Sequence, residues 1–548
     1  MESRGEVVAP PSQPPAQEEA SLFSASGISA GAFALAGRTL IVAGGAFFLR
    51  AMTEAGLIRP SVGIVLGLIY AAWWLVQADR SARAGHRLSG VFHGFAGVVI
   101  AFPLISETTT NLGLLPPALA GTALVLFLVL GLGVAARNEL GEIAWAVTIA
   151  AVATAITLLL STHELVIFTI ALAFIAIAVE ALAFTQRWLG LRWLAALALD
   201  LAVLALATGT LDPGGTAEGH APVPPEASIS LALALPLIYL SGVGARTLVR
   251  ELPIKPFELA QAAVALLLGL GAAWRVILFI DASPIPVALV SLALGVACYA
   301  TAFASIDRRL GRGRNFYTYT TFAILLVLAG SALLLRGDSL ALAWSALALA
   351  AAGLGGRFKR ITLRAHAAVY ILWAAVASNL ITYAFEALLT DPSGAWHPLT
   401  FAGMTVLAVS VSCYAILVVT SEVSDVPDYH RLPDAAVASV LAWCVAGTLA
   451  GALAAYLTAS LPPETGRAFV AASRTGVLAA LAVVLAWAGR RWSLQEFTWL
   501  VYPVLVLGAG KLLWEDLRYG EPLTLFLSLA LYGGALFLSP RLLKAEPT

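Results

Sequence analysis

The chain has 548 residues, of which 60% are hydrophobic and only 12% charged, with a mean hydropathy of +0.89. Soluble domains carry roughly a quarter charged residues, so a water-soluble fold is excluded: it would have nowhere to bury this much apolar surface. A formal net charge of zero gives no electrostatic ground for a nucleic acid or an acidic polymer as partner.

Residues 1–27 are rich in Pro, Gln, Glu and Ser and read as a disordered cytoplasmic tail. A signal peptide is not expected there, because Arg4 is the only basic residue ahead of the first apolar run and stands far from it. Apolar runs then follow one another to the end of the chain. A crossing takes ~20 residues, because the hydrocarbon core is ~30 Å thick and a helix rises ~1.5 Å per residue. Lipid offers the backbone no hydrogen-bond partner, so each run is read as a helix.

The runs fall at 31–49, 60–78, 88–106, 114–135, 141–160, 164–184, 191–211, 228–246 and 256–279. They continue at 284–304, 317–335, 338–356, 365–389, 397–420, 434–459, 467–488, 493–513 and 520–540. The expected fold is all-α: a polytopic transmembrane bundle of about eighteen spans. The longest outer loop, 212–227, is Gly- and Pro-rich and reads as a connector between an N-terminal bundle, 28–211, and a C-terminal bundle, 228–548.

Charge tests the count. Cytoplasmic loops of membrane proteins accumulate Lys and Arg, so real spans separate loops of alternating basicity. Twenty-three basic residues fall on the side of the N-terminus, among them Arg80, Arg83, Arg308, Arg309, Arg312, Arg314, Arg357, Lys359, Arg360 and Arg364. The opposite side holds five: Arg50, Arg59, Arg336, Arg467 and Arg518. One missed span would invert every later loop, so both termini are expected in the cytoplasm of a bacterial inner membrane. The three cysteines, Cys298, Cys413 and Cys444, lie inside apolar runs and read as small packing residues rather than a disulfide framework.

Ionisable groups inside a span cost ~2.5–3.5 kcal/mol on insertion scales, so each needs a reason. The candidates for substrate binding or a polar path are His93, Asp200, Arg275, Arg474, Glu496 and Lys511. Asp200 stands near the middle of its span and could pair with Arg474. Lys511 follows Pro503, Gly508 and Gly510 and precedes Glu515 by one turn, a pattern that allows local unwinding at a substrate site. Snorkelling to the interface is the competing explanation for those near span ends.

Two span entries share a pattern: Arg137, Leu140, Glu142, Trp145 and Arg491, Leu494, Glu496, Trp499. Lys255 and Glu258 offer a looser version. Arg275 with Asp281, and Lys511 with Glu515 and Asp516, end two of these spans alike, with Asn379 and Glu386 in the matching stretch of a third. The fifth, ninth, thirteenth and seventeenth spans are four apart, which suggests a repeated four-helix unit.

The first third of the chain resembles the bacterial membrane-protein family called domain-of-unknown-function 2339. The residues that carry this are the first span ending at Phe47, Phe48, Leu49 and Arg50, then Gly56, Leu57, Ile58 and Pro60, and a Gly-rich second span running into Arg80, Arg83 and Gly85. Leu114 to Ala118, Leu140 with Gly141, and Lys511 to Leu517 extend the likeness. The resemblance covers roughly residues 34–200 and 490–545 and implies a many-helix inner-membrane protein; it implies no established activity or cofactor.

Motifs for soluble chemistry are missing. Gly510 and Lys511 are followed by Leu512 and lack the upstream glycine of a phosphate loop, and His163 with Glu164 lacks the second histidine of a zinc protease helix. No catalytic residue, metal or cofactor is therefore assigned. Three readings stand: a secondary transporter or flippase-like carrier of a small molecule or lipid, a scaffold for an envelope protein partner, and an enzyme on lipid-linked sugars using Glu54, Glu107, Asp212 or Asp281.

Overall fold

The structure is a computed structural model and describes residues 57–185, 188–211, 223–309, 313–389, 398–420, 432–461 and 466–544, with isolated positions before residue 57. The tail 1–27, the first predicted span and most of the connector 212–227 lie outside the described residues.

All described secondary structure is helical. Sixteen helices among the described residues are long and apolar enough to cross a membrane, and one bent pair, a broken span or a re-entrant loop, brings the number to at most seventeen. Every predicted span from the second to the eighteenth thus has its helix. Large apolar side chains such as Leu267, Val506 and Trp514 stand exposed on these helices, as lipid-facing residues do. This is the build of a multi-pass integral membrane protein.

Two compact units divide at Ser283 and Pro284 rather than at the expected connector. The first holds α1 (Pro60–Arg83), α2 (Arg87–Thr110), α3 (Pro117–Asn138), α4 (Gly141–Thr162), α5 (Leu165–Ala183), α6 (Leu191–Leu211), α7 (Pro225–Val249) and α8 (Pro256–Phe279). The division falls there because α7 and α8 pack on α6, keeping the helices after the connector with those before it.

The second unit holds α9 (Ile285–Ala300), α10 (Arg314–Leu334), α11 (Gly337–Arg357), α12 (Ile361–Ala377), α13 (Leu380–Leu389), α14 (Phe401–Thr420), α15 (Leu432–Ser460), α16 (Arg467–Arg491), α17 (Gln495–Lys511) and α18 (Pro522–Lys544). Wider π turns, Thr301–Ile306 and Leu512–Asp516, carry α9 and α17 beyond their predicted ends.

Local chemistry explains the boundaries. Proline opens α1, α3, α7, α8 and α18, where its missing N–H is no loss and its fixed φ suits the first turn. Arginines in the last turns of α1, α3, α7, α11 and α16 meet the negative end of the helix dipole.

A left-handed residue precedes each of four helices: Glu139 (φ 57°) before α4, Glu251 (54°) before α8, Lys359 (52°) before α12 and Ser493 (54°) before α17. The first three are also followed by one: His163 (56°), Asp281 (49°) and Asn379 (57°). Among the described residues Trp188 is the only other non-glycine with positive φ.

One expectation needs correction. The run 365–389 was expected to be a single straight span, but α12 and α13 meet at 65°. Ser378 and Asn379 make the break, with Asn379 in the left-handed region that asparagine tolerates better than most side chains.

Close approach of α7 and α8 depends on Gly269. A Cβ there would lie 2.5 Å from the Ala232 carbonyl oxygen and 2.5 Å from Pro236. Gly269→Ala is therefore expected to push the helices apart at a cost of about 1–3 kcal/mol. Thermal unfolding checks this against Gly271→Ala, whose Cβ meets nothing within 4 Å and which should be close to neutral.

Candidate functional site

In the first unit the buried charges gather where α5, α6, α7 and α8 meet. Arg192, at the start of α6, grips Glu180 of α5 with two parallel bonds, Nε to Oε1 at 2.7 Å and Nη2 to Oε2 at 2.8 Å. Its third donor, Nη1, reaches Glu258 of α8 at 2.6 Å. Arg246 of α7 also pairs with Glu258. Two cations thus balance two carboxylates, all buried. The planar five-donor guanidinium is the side chain suited to hold two carboxylates at once.

Two turns along α6, the buried Asp200 accepts from the Gln261 amide at 3.1 and 3.0 Å. Within its own unit Asp200 thus has Gln261 as a partner, and Arg474 in the second unit has Glu515. Gln261 and Glu258 stand three apart on α8, so one helix face serves both Asp200 and the arginines.

The other candidates of this unit differ. His93 of α2 is half-buried, its Nδ1 3.1 Å from the Ser81 hydroxyl and its ring 5.1 Å from Trp74. Arg275, expected as a buried cation, is exposed on α8. Its neighbours Ala273, Val276 and Ile277 take the buried face, and the helical phase turns position 275 away from it.

In the second unit the charges gather at the π turn after α17. The Lys511 ammonium donates to the Ala471 carbonyl at 2.7 Å, to the Thr475 hydroxyl at 2.9 Å and to Asp516 at 2.8 Å. An ammonium has three N–H donors, so these contacts engage all of them. Glu515 lies 3.1 Å from the same nitrogen and accepts from Arg474 at 3.3 Å. Thr475 and Ser528 donate to the two oxygens of Asp516.

The local unwinding expected at Gly508 and Gly510 does not occur. Helix α17 stays regular through Lys511 and then widens into the π turn that brings Glu515 and Asp516 inward. Such turns are frequent at functional positions in helices.

Glu496 lies at the opposite end of α17, in its first turn. It is only 6% exposed, and its Oε1 accepts from the Tyr414 hydroxyl of α14 at 2.6 Å. Between the two ends lies a cleft of about 240 Å³, formed by the bent pair α12 and α13 with α15, α16 and α17. Its lining is almost entirely apolar, and α17 contributes Leu500, Val504 and Leu507. Leu500, Val504 and Leu507 recur at helical spacing on the face of α17 toward the cleft; Glu496 lies one turn before this stripe and Lys511 one turn after it, and neither is itself part of the lining. Arg474 stands one turn from Leu478, another lining residue.

Reading the sequence missed several buried polar groups. The Tyr299 hydroxyl lies 2.8 Å from His366 Nδ1 and 3.4 Å from the Tyr370 hydroxyl, beside the π turn after α9. Arg364 holds Asp434 at 3.2 Å and the Thr420 carbonyl at 3.1 Å. Arg192 and Arg364 both sit in the first turn of their helices, at the very edge of the predicted runs 191–211 and 365–389. Among the described residues no three His, Cys, Asp or Glu side chains converge on a point suited to a metal.

No protein-family model, curated protein or solved structure matches the chain.

Proposed function

We propose that this chain is a carrier in a bacterial inner membrane, moving a small molecule or lipid through the second unit, with both termini in the cytoplasm. The observation that carries the reading is the apolar cleft beside the bent pair α12 and α13, with Glu496 one turn beyond its lining at one end of α17 and the Lys511 cluster one turn beyond it at the other. Broken helices that line a cavity are the recurring device of secondary transporters.

Its kinship with the domain-of-unknown-function 2339 proteins and its origin in four-helix repeats belong to the same proposal. The left-handed turns before α4, α8, α12 and α17 support the repeat, since they fall at the four entries its period requires.

Cys444 lines the cleft and serves as a built-in reporter. With Cys298 and Cys413 replaced by serine, a carrier should let a membrane-impermeant maleimide reach Cys444 from either side of sealed vesicles as its states interconvert. A cysteine closed to the reagent from both faces would end the carrier reading. It would favour a scaffold for an envelope partner, for which the fully engaged Lys511 donors are the supporting observation.

A further inference from the structure

Resting on the carrier reading, we infer that the cleft takes an amphiphilic organic cation, with its positive head at Glu496 and its apolar body along Leu500, Val504 and Leu507. Three helices of this chain carry a glutamate in their first turn at corresponding entries: Glu142 in α4, Glu258 in α8 and Glu496 in α17. Two of them meet an arginine from the start of the helix two places earlier. Arg87 of α2 reaches both oxygens of Glu142 at 3.1 Å, and Arg192 of α6 reaches Glu258 at 2.6 Å.

Glu496 breaks the pattern. Among the described residues it makes no ion pair, and its one side-chain partner is the neutral Tyr414 hydroxyl. It is nonetheless as deeply buried as its paired counterpart Glu258, with 6% and 2% exposed. The dipole of α17 alone does not account for this, since it is worth about 0.3–1 kcal/mol against a desolvation cost of several kcal/mol for a buried ion.

The surroundings suit a cation. Tyr414 stacks on Phe497 with centroids 5.9 Å apart, and Trp443 lines the cleft. Aromatic faces attract ammonium groups, and most strongly where water is excluded. An anionic head finds no counterpart, because all three Lys511 donors are engaged and Lys511, Arg474, Glu515 and Asp516 together sum to zero. A neutral chain would fill the cleft but leave Glu496 without a counter-charge.

The test uses the full-length chain in nanodiscs with Cys444 as the only cysteine. Its alkylation by N-ethylmaleimide is followed by mass spectrometry in the presence of decyltrimethylammonium, 1-decanol or decyl sulfate, three probes with one chain and different heads. The cation is expected to protect Cys444 at a concentration at least tenfold below that of decanol, with decyl sulfate the weakest. Glu496→Gln should raise the half-protecting concentration of the cation about tenfold and leave decanol unchanged. Equal protection by cation and decanol in the unsubstituted protein, a comparison that needs no variant, overturns the inference; so does a Glu496→Gln chain that still unfolds cooperatively and binds the cation as before. Failure here with two-sided access to Cys444 intact removes the substrate class and leaves the carrier. Protection without two-sided access keeps the binding site and removes the carrier.

Discussion

Arg192→Met is expected to destabilise the first unit by about 3–5 kcal/mol, the range found when one partner of a buried ion pair is removed. The reason lies in the partners left behind. Glu258 retains Arg246, but among the described residues the only side chain hydrogen-bonded to Glu180 is Arg192, whose two parallel bonds hold both carboxylate oxygens. Methionine fills a similar volume, so the effect reports charge and hydrogen bonding rather than a cavity. Glu180→Gln in the same chain removes the stranded charge and should recover most of the loss. A double-mutant cycle on thermal unfolding in detergent measures the coupling, and strictly additive effects would show that the pair is not what holds α5 to α6.

Lys511→Met should be as damaging in the second unit, again by about 3–5 kcal/mol. Asp516 would keep the hydroxyls of Thr475 and Ser528 but lose its cation, and α17 would lose its tie to the Ala471 carbonyl of α16. Lys511→Met with Asp516→Asn restores neutrality and should return part of the stability. Arg275→Met makes the contrast. Its side chain is exposed on α8, so removing the charge should change stability by less than about 0.5 kcal/mol. If both methionine variants unfold at the same temperature, the cluster around Lys511 is not stabilising.

The spans were legible because lipid imposes a crude requirement, a long apolar run, that composition alone can meet. The bend between α12 and α13 was not. Sequence reasoning looks for Pro or Gly at a break, yet Pro103, Pro236 and Pro503 sit inside unbroken helices, while the chain turns at Ser378 and Asn379. Proline in a membrane helix is tolerated when neighbours satisfy the freed carbonyl, so it is a weak marker there.

The candidate site divides the same way. Lys511 and Glu515 are visible together because four residues on a helix make one turn. Arg192, Glu180 and Glu258 are 12 and 66 residues apart and meet only through packing. Glu496 was singled out for its charge, but what distinguishes it, a hydroxyl where its counterparts have an arginine, appears only when three helix entries are compared in space. Asp200 and Arg474 looked like partners because each seemed isolated in its own span. Sequence distance hid Gln261 and Glu515 from view.

The joint at Asn379 has a mechanical corollary. No proline locks it, and only Ser378 and Asn379 separate the two helices of the bent pair. Residues 380–389 form a rigid lever of about 15 Å at 1.5 Å per residue, and straightening a 65° elbow would sweep its far tip through about that same length. Ile381, Phe385 and Leu388 ride on that lever as part of the cleft wall, so the angle of the elbow sets how far that wall stands from α15, α16 and α17.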